Sequence, residues 1–231
     1  MPYEKIGAVH PPPFAVALEL AGWELLWVRL EAAPGAFDSG QDAHQQLAEL
    51  RARAAERARR RFAPESLAED PTVAAVRALF RAAGCDPTRY RPSSEALLRR
   101  LLKGEPLPAI HPLVDLNNCL SVELAVPCAV AAEGAFTPPV TLRAGSAGES
   151  FESLRGPFNL EGKPLLADRQ GPFSTPISDS QRIKVRDDTR LAWMAAYLPR
   201  GVVSPETVGA RLADLLRQAP VATVELAASR A

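Results

Sequence analysis

Leu107–Pro127 reads LPAIHPLVDLNNCLSVELAVP. Leu113, Leu116, Leu120 and Leu124 recur at helical spacing, which predicts a helix over Leu113–Leu124 with one apolar face. Asp115, Asn117, Asn118 and Ser121 lie beside that face. Polar groups inside an apolar segment must find hydrogen-bond partners, or a ligand, if they are buried. The proline-rich approach, EPLPAIHP, predicts extended backbone.

Toward the N-terminus the pattern stays helical. Ser93–Lys103 reads as a helix that buries Leu97, Leu98, Leu101 and Leu102, with Ser93 or Ser94 as its cap and Gly104 as its stop. Before it, Asp70 as N-cap and Pro71 in the first turn open a helix with Val73, Val76, Ala78, Leu79 and Phe80 on its apolar side, and Gly84 ends it. Gln41–Phe62 is a third, with arginines at 51, 53, 57, 59, 60 and 61 in its second half. These complement the helix dipole as a solvated face, or they form a patch for a nucleic-acid backbone. Ala15–Leu30 reads as one or two strands, or a helix, followed by a Pro34-Gly35 turn.

Toward the C-terminus the composition changes. From Pro127 to Phe173 short apolar runs alternate with Gly and Pro, which predicts strands and turns. Asp187–Leu198 reads as a helix with Leu191, Trp193, Met194 and Tyr197 in the core. Ser204-Pro205-Glu206 starts a last helix reaching Gln218, and the Ala-rich tail after Val221 is expected to fray. Helices and strands occur in runs rather than in βαβ alternation, so the expected class is α+β.

Composition narrows the function classes. The 231 residues suit one domain spanning 1–231. Lys plus Arg and Asp plus Glu number 27 each, so any RNA contact must use a local patch. Cys85, Cys119 and Cys128 are odd in number and sit in apolar sequence, which fits reduced thiols and the cytoplasm. His10, His44 and His111 show no metal-ligand spacing, and no cofactor is expected. The first residues lack a signal-peptide pattern, and no apolar run is long enough to span a membrane.

Three stretches resemble a known family. They are GCDPTRYRPSSEALLRRLLKG (84–104), the 107–127 stretch itself, and TLRAGSAGE (141–149) followed by LLADRQGPFSTPISDS (165–180). In this order they are similar to the B3/B4 domain, the editing module of the phenylalanyl-tRNA synthetase β subunit, and more so to free-standing proteins made of that domain. Leu-Val-Asp-x-x-Asn followed by Leu-x-x-Pro is the most specific element, and the likeness is best over about 73–198. It implies an α+β fold with a β-sandwich-like centre flanked by helices. It also implies hydrolysis, in trans, of an amino acid wrongly attached to tRNA, with the aminoacylated acceptor end as partner and translation fidelity as the role.

The resemblance assigns residues. Asn117, Asn118 and Asp179 fall where the family has pocket groups and are the candidates for catalysis. Ser94, Glu95, Asp115, Glu149 and Ser178 are candidates for substrate binding, and Arg91, Arg99 and Arg100 for RNA. Ordinary structural tasks compete for several of them. Asp115 suits a buried anchor, Ser94 and Glu95 a helix start, and Arg99 an ion pair with Glu95 four residues earlier. Where the synthetase carries a histidine two positions after the segment's proline, this chain has Ala129, which can neither orient water nor donate a hydrogen bond. Three functions therefore stand open: a deacylase, a non-catalytic module holding an amino acid or aminoacyl-tRNA, and another enzyme reusing the pocket.

Overall fold

The computed structural model describes residues 9–33 and 41–229; the Pro34-Gly35 turn lies outside them. In chain order the strands are β1 (Val16–Leu18), β2 (Trp23–Ala32), β3 (Cys128–Ala132), β4 (Val140–Ala144), β5 (Ser150–Ser153), β6 (Gly156–Asn159), β7 (Pro164–Asp168), β8 (Gly171–Ser174), β9 (Leu191–Pro199) and β10 (Ala222–Ser229). The helices are α1 (Gln41–Arg61), α2 (Pro71–Ala82), α3 (Ser93–Leu102), α4 (Pro112–Leu124) and α5 (Pro205–Gln218).

β2 organises the molecule. Successive strand side chains point to opposite faces, and here both faces are covered. Trp23, Leu25 and Trp27 enter one apolar cluster, while Leu26, Val28 and Leu30 enter another. This is why WELLWVRL shows no polar alternation. β2 lies inside an antiparallel sheet of order β10-β2-β9-β3. A second sheet, β1-β4-β7-β8, faces it, with β1 and β4 parallel. Val140, Leu142, Leu166 and Phe173 from that sheet meet Trp23, Leu25, Trp27 and Tyr197 from the first. Phe136, stacked on Phe173 at 5.3 Å, fills the space between. The other face of the first sheet carries α1, α3, α4 and α5. The fold is thus α+β, with a β-sandwich-like centre and helices flanking it.

Helix ends follow their local chemistry. Asp70 Oδ1 accepts from Thr72 N and Val73 N at 3.0 and 3.2 Å, capping α2. Ser204 caps α5 by accepting from Thr207 N at 3.2 Å. His111 Nδ1 accepts from Leu113 N at 3.2 Å and caps α4, whose far end turns through Ala125 at φ 57°. α3 differs from the sequence expectation. Pro92 occupies its cap position without a side-chain bond, and both serines lie in the first turn, tied elsewhere.

Three further expectations are corrected. Asp187–Leu198 contains no helix; Leu191–Pro199 is the buried strand β9. The tail is not frayed at Ala222–Ser229, which pairs along β2 as β10. The arginines of α1 are not a purely solvated face. Arg51 pairs with Asp115, Arg57 with Glu123, and Arg61 donates to Glu123 O at 2.8 Å and Asp70 Oδ2 at 3.1 Å. Arg59 donates to the carbonyls of Leu101 and Glu105 at 2.8 and 2.9 Å. Only Arg53 and Arg60 form exposed pairs within α1 itself. These groups bolt α1 to α3 and α4.

Candidate functional site

The corner from α4 into β3 is where the predicted residues begin to converge. Ala125 takes a left-handed conformation there, and Ser121 Oγ donates to Val126 O at 2.7 Å, tightening the bend. Ser94 Oγ donates to Ala125 O at 3.1 Å, so the first turn of α3 is seated on the corner. The neighbouring Ser93 N donates to Pro176 O at 2.8 Å. That second tie brings in the turn after β8, which holds Ser178 and Asp179.

The turn is built by Thr175. Its Oγ1 accepts from Ile177 N and Ser178 N at 3.1 and 2.9 Å and donates to Ser178 O at 2.8 Å. Side-chain bonds of this kind fix a tight turn locally. Ser178 serves it through its backbone. Asp179 follows, half-buried, with Oδ1 accepting from Ser174 Oγ at 2.7 Å. Ser174 in turn lies 2.8 Å from the hydroxyl of Tyr197, a fully buried residue of β9. Tyr197 N donates to Pro127 O at 2.9 Å, which closes the circuit back to the α4–β3 corner.

Electrostatically the site centres on Asp179. No ion pair among the described residues involves it. Burial pushes its carboxyl up from 3.8 to about 7, against the opposing hydrogen bond from Ser174. A carboxyl in this state changes charge near neutrality and, when ionised, lacks a cation.

Asn117 and Asn118 stand on α4. Asn117 is buried; its Nδ2 reaches Asn118 Oδ1 only at 3.5 Å, and its own Oδ1 has no partner. Asn118 is partly exposed. No hydrogen bond among the described residues joins either asparagine to Asp179. Ala129 lies on the face of the first sheet that carries Tyr197 and looks toward β8, paired with Ala195. The missing histidine therefore falls on the same face as this site.

Other candidates are already engaged within the chain. Asp115 Oδ1 accepts from Ile110 N and His111 N at 2.9 and 3.4 Å, and its Oδ2 pairs with Arg51. These bonds are those of the buried anchor that competes with a substrate contact. Glu95 is fully buried between Arg77 and Arg99. Glu149 is held by both guanidinium nitrogens of Arg143 at 2.8 and 2.6 Å and by Ser146 N at 2.8 Å, which keeps its carboxyl below the ordinary range. Each of these three carboxylates is held by three hydrogen bonds from within the chain. Arg99 serves Glu95, and Arg100 pairs with Glu105 at 2.7 Å. Arg91 is exposed beside Tyr90, ahead of the α3 seat.

Ser174 and Tyr197 were not legible as site residues. Tyr197 reads as core, and Ser174 is one hydroxyl among several in FSTPISDS. Their link depends on β8 facing β9 across the sandwich. No cluster of three metal-ligating side chains occurs among the described residues, and no helix is long and apolar enough to cross a membrane. All three cysteines are free, and burial pushes each thiol up. A cleft of about 230 Å³ lies where α1 meets α2, lined by Arg61, Phe62 and Asp70 among others, and includes none of the pocket candidates.

Comparison with known proteins places this geometry. No curated protein matches the chain. Among solved structures, an N-terminal fragment of the phenylalanyl-tRNA synthetase β subunit of Pyrococcus horikoshii matches at 13% identity with a TM-score of 0.46. The match covers 95% of this chain and 52% of the fragment, so the chain spans about half the fragment's length. The family model described as "B3/4 domain" matches residues 75–205, a stretch holding α3, α4, the Asp179 turn and β9. The chain belongs to the B3/4 domain family.

Proposed function

We propose that this protein removes a wrongly attached amino acid from tRNA, acting in trans in the cytoplasm as an aminoacyl-tRNA deacylase. The observation that carries the reading is Asp179, a half-buried carboxyl with no cationic partner, set within the family-matched region. The ester linking an amino acid to a terminal ribose needs little activation. A catalyst has to hold the α-ammonium group, place a water and stabilise the developing oxyanion. Ionised Asp179 supplies the countercharge for the ammonium. Asn118 offers an amide to the ester carbonyl or the water. Buried Asn117, whose Nδ2 lies 3.5 Å from Asn118 Oδ1, backs that amide from behind. With alanine at 129, the proton of the attacking water goes to another acceptor, and a ribose hydroxyl of the tRNA end suits that role. Arg91 suits the phosphate path.

A second reading is a binding module for an amino acid or aminoacyl-tRNA without hydrolysis, and Ala129 favours it. Deacylation of a panel of mischarged tRNAs separates the two, with Asn118→Ala and Asp179→Ala as controls. Turnover that both substitutions abolish supports the deacylase. A folded protein that turns over none of the panel, but binds an amino acid with loss on Asp179→Ala, establishes the module instead.

A further inference from the structure

Behind Asp179 lies a polar chain inside an otherwise apolar cluster. Tyr197 is fully buried, with its ring packed edge-on to Trp23 at 6.2 Å, and Ser174 is 1% exposed. The spacing is 2.8 Å from the phenol oxygen to Ser174 Oγ and 2.7 Å from there to Asp179 Oδ1. A serine hydroxyl has one proton to give. An ionised carboxylate only accepts, so that proton goes to Oδ1, and Tyr197 must then donate to Ser174. With Asp179 ionised, the order Tyr197, Ser174, Asp179 is fixed by valence.

We infer that Ser174 and Tyr197 are positioning residues for Asp179: a buried two-hydroxyl chain occupies one carboxyl oxygen and leaves the other to a ligand's ammonium group. This deepens the deacylase reading and rests on it for the identity of the ligand; the chain itself does not. Ser174, itself held by Tyr197, also restrains the carboxyl from turning, so the ammonium meets a prepared oxygen rather than a rotating pair. Tyr197 on β9 feels the charge of Asp179, Cys128 on β3 acts in turn on the phenol, and no cation acts on Asp179 among the described residues. Burial raises the phenol well above its ordinary value and the Cys128 thiol likewise, so near neutral pH only Asp179 changes charge in this cluster.

The test is a carbon-13 NMR titration of aspartate carboxyls in the whole ligand-free protein, with Asp179→Asn to assign the resonance. The wild-type midpoint is expected near 7. Tyr197→Phe keeps the shape of the ring and is expected to make Asp179 about threefold weaker as an acid, and Ser174→Ala about tenfold weaker. Because Tyr197 acts through Ser174, the double variant is expected to titrate like Ser174→Ala alone. A midpoint unmoved in a folded Tyr197→Phe protein overturns the proposal, as does additivity in the double variant. Coupled midpoints without deacylation would leave the chain standing and sink the deacylase reading. Deacylation with uncoupled midpoints would do the reverse.

Discussion

Glu95 offers the sharpest separation between a ligand-binding carboxylate and one that holds the fold. Its side chain is 1% exposed. Arg77 Nη1 lies 3.1 and 2.9 Å from its two oxygens, and Arg99 Nε lies 2.8 Å from one of them. At an effective dielectric of about 20, unit charges about 3 Å apart attract by roughly 5 kcal/mol, most of which offsets the desolvation of both. Removing one partner leaves the other charge buried. Arg77, at 13% exposure, bears that cost in Glu95→Ala, whereas Arg99, at 34%, turns to water and adds little. The expected loss is about 3–5 kcal/mol. Replacing both partners, as in Arg77→Met with Glu95→Leu, removes the stranded charge and is expected to recover most of it. Urea unfolding followed by circular dichroism gives both numbers. A Glu95→Ala protein within about 1 kcal/mol of wild type would refute the reasoning, since a carboxylate held for a ligand is dispensable to stability.

Two other outcomes are expected. Burial lowers the His111 pKa from 6.5, and its Nδ1 must stay unprotonated to accept from Leu113 N. Its contribution to stability is therefore full above about 6.5 and is lost as pH falls through the lowered folded value. Asp179 is raised, so its ionisation acts in the opposite sense, destabilising the fold progressively as pH rises from 3.8 through about 7. His111→Asn keeps a capping acceptor without the titration, so the urea midpoint of this variant should fall less than that of wild type between pH 7.5 and 5.5. Equal falls would discount the histidine. At Gly145 a β-carbon would stand 1.9 Å from Leu160 O, a backbone atom that cannot swing aside. Gly145→Ala is expected to cost about 3 kcal/mol or more, and a melting temperature equal to wild type would contradict this packing.

What was readable in the chain was what is encoded locally. Asp70-Pro71 and Ser204-Pro205 announce helix starts because the cap and the proline act within one turn, and α2 and α5 begin there. The leucines of α4 sit at helical spacing and are buried as that spacing requires. β9 was not readable for the opposite reason. Both of its faces are covered, so LAWMAAYLP has no alternation, and its Leu, Met and Tyr spacing imitates a helix. The ATVELAAS tail is a strand only because β2 lies alongside it. The arginines of α1 find carboxylates more than sixty residues away on α4, a distance no sequence window spans. The same limit hid part of the site. Asp179 was reached through a family-like turn, whereas Ser174 and Tyr197 become neighbours only when two sheets close on each other.

The placing of β2 also constrains how the protein comes to exist. It is long, largely apolar and buried on both faces, yet its two sheet neighbours are β9 and β10, the last described strands to be made. Through most of synthesis Trp23, Trp27 and the leucines between them have no sheet to join. Until then they have only the helices and the second sheet to pack against. Strand pairing over such separations is slow and exposes sticky edges meanwhile. The sheet on which the two tryptophans depend is therefore completed only when the last described strand is made, so the yield of folded protein should respond to the pace of translation as well as to the stability of the finished fold.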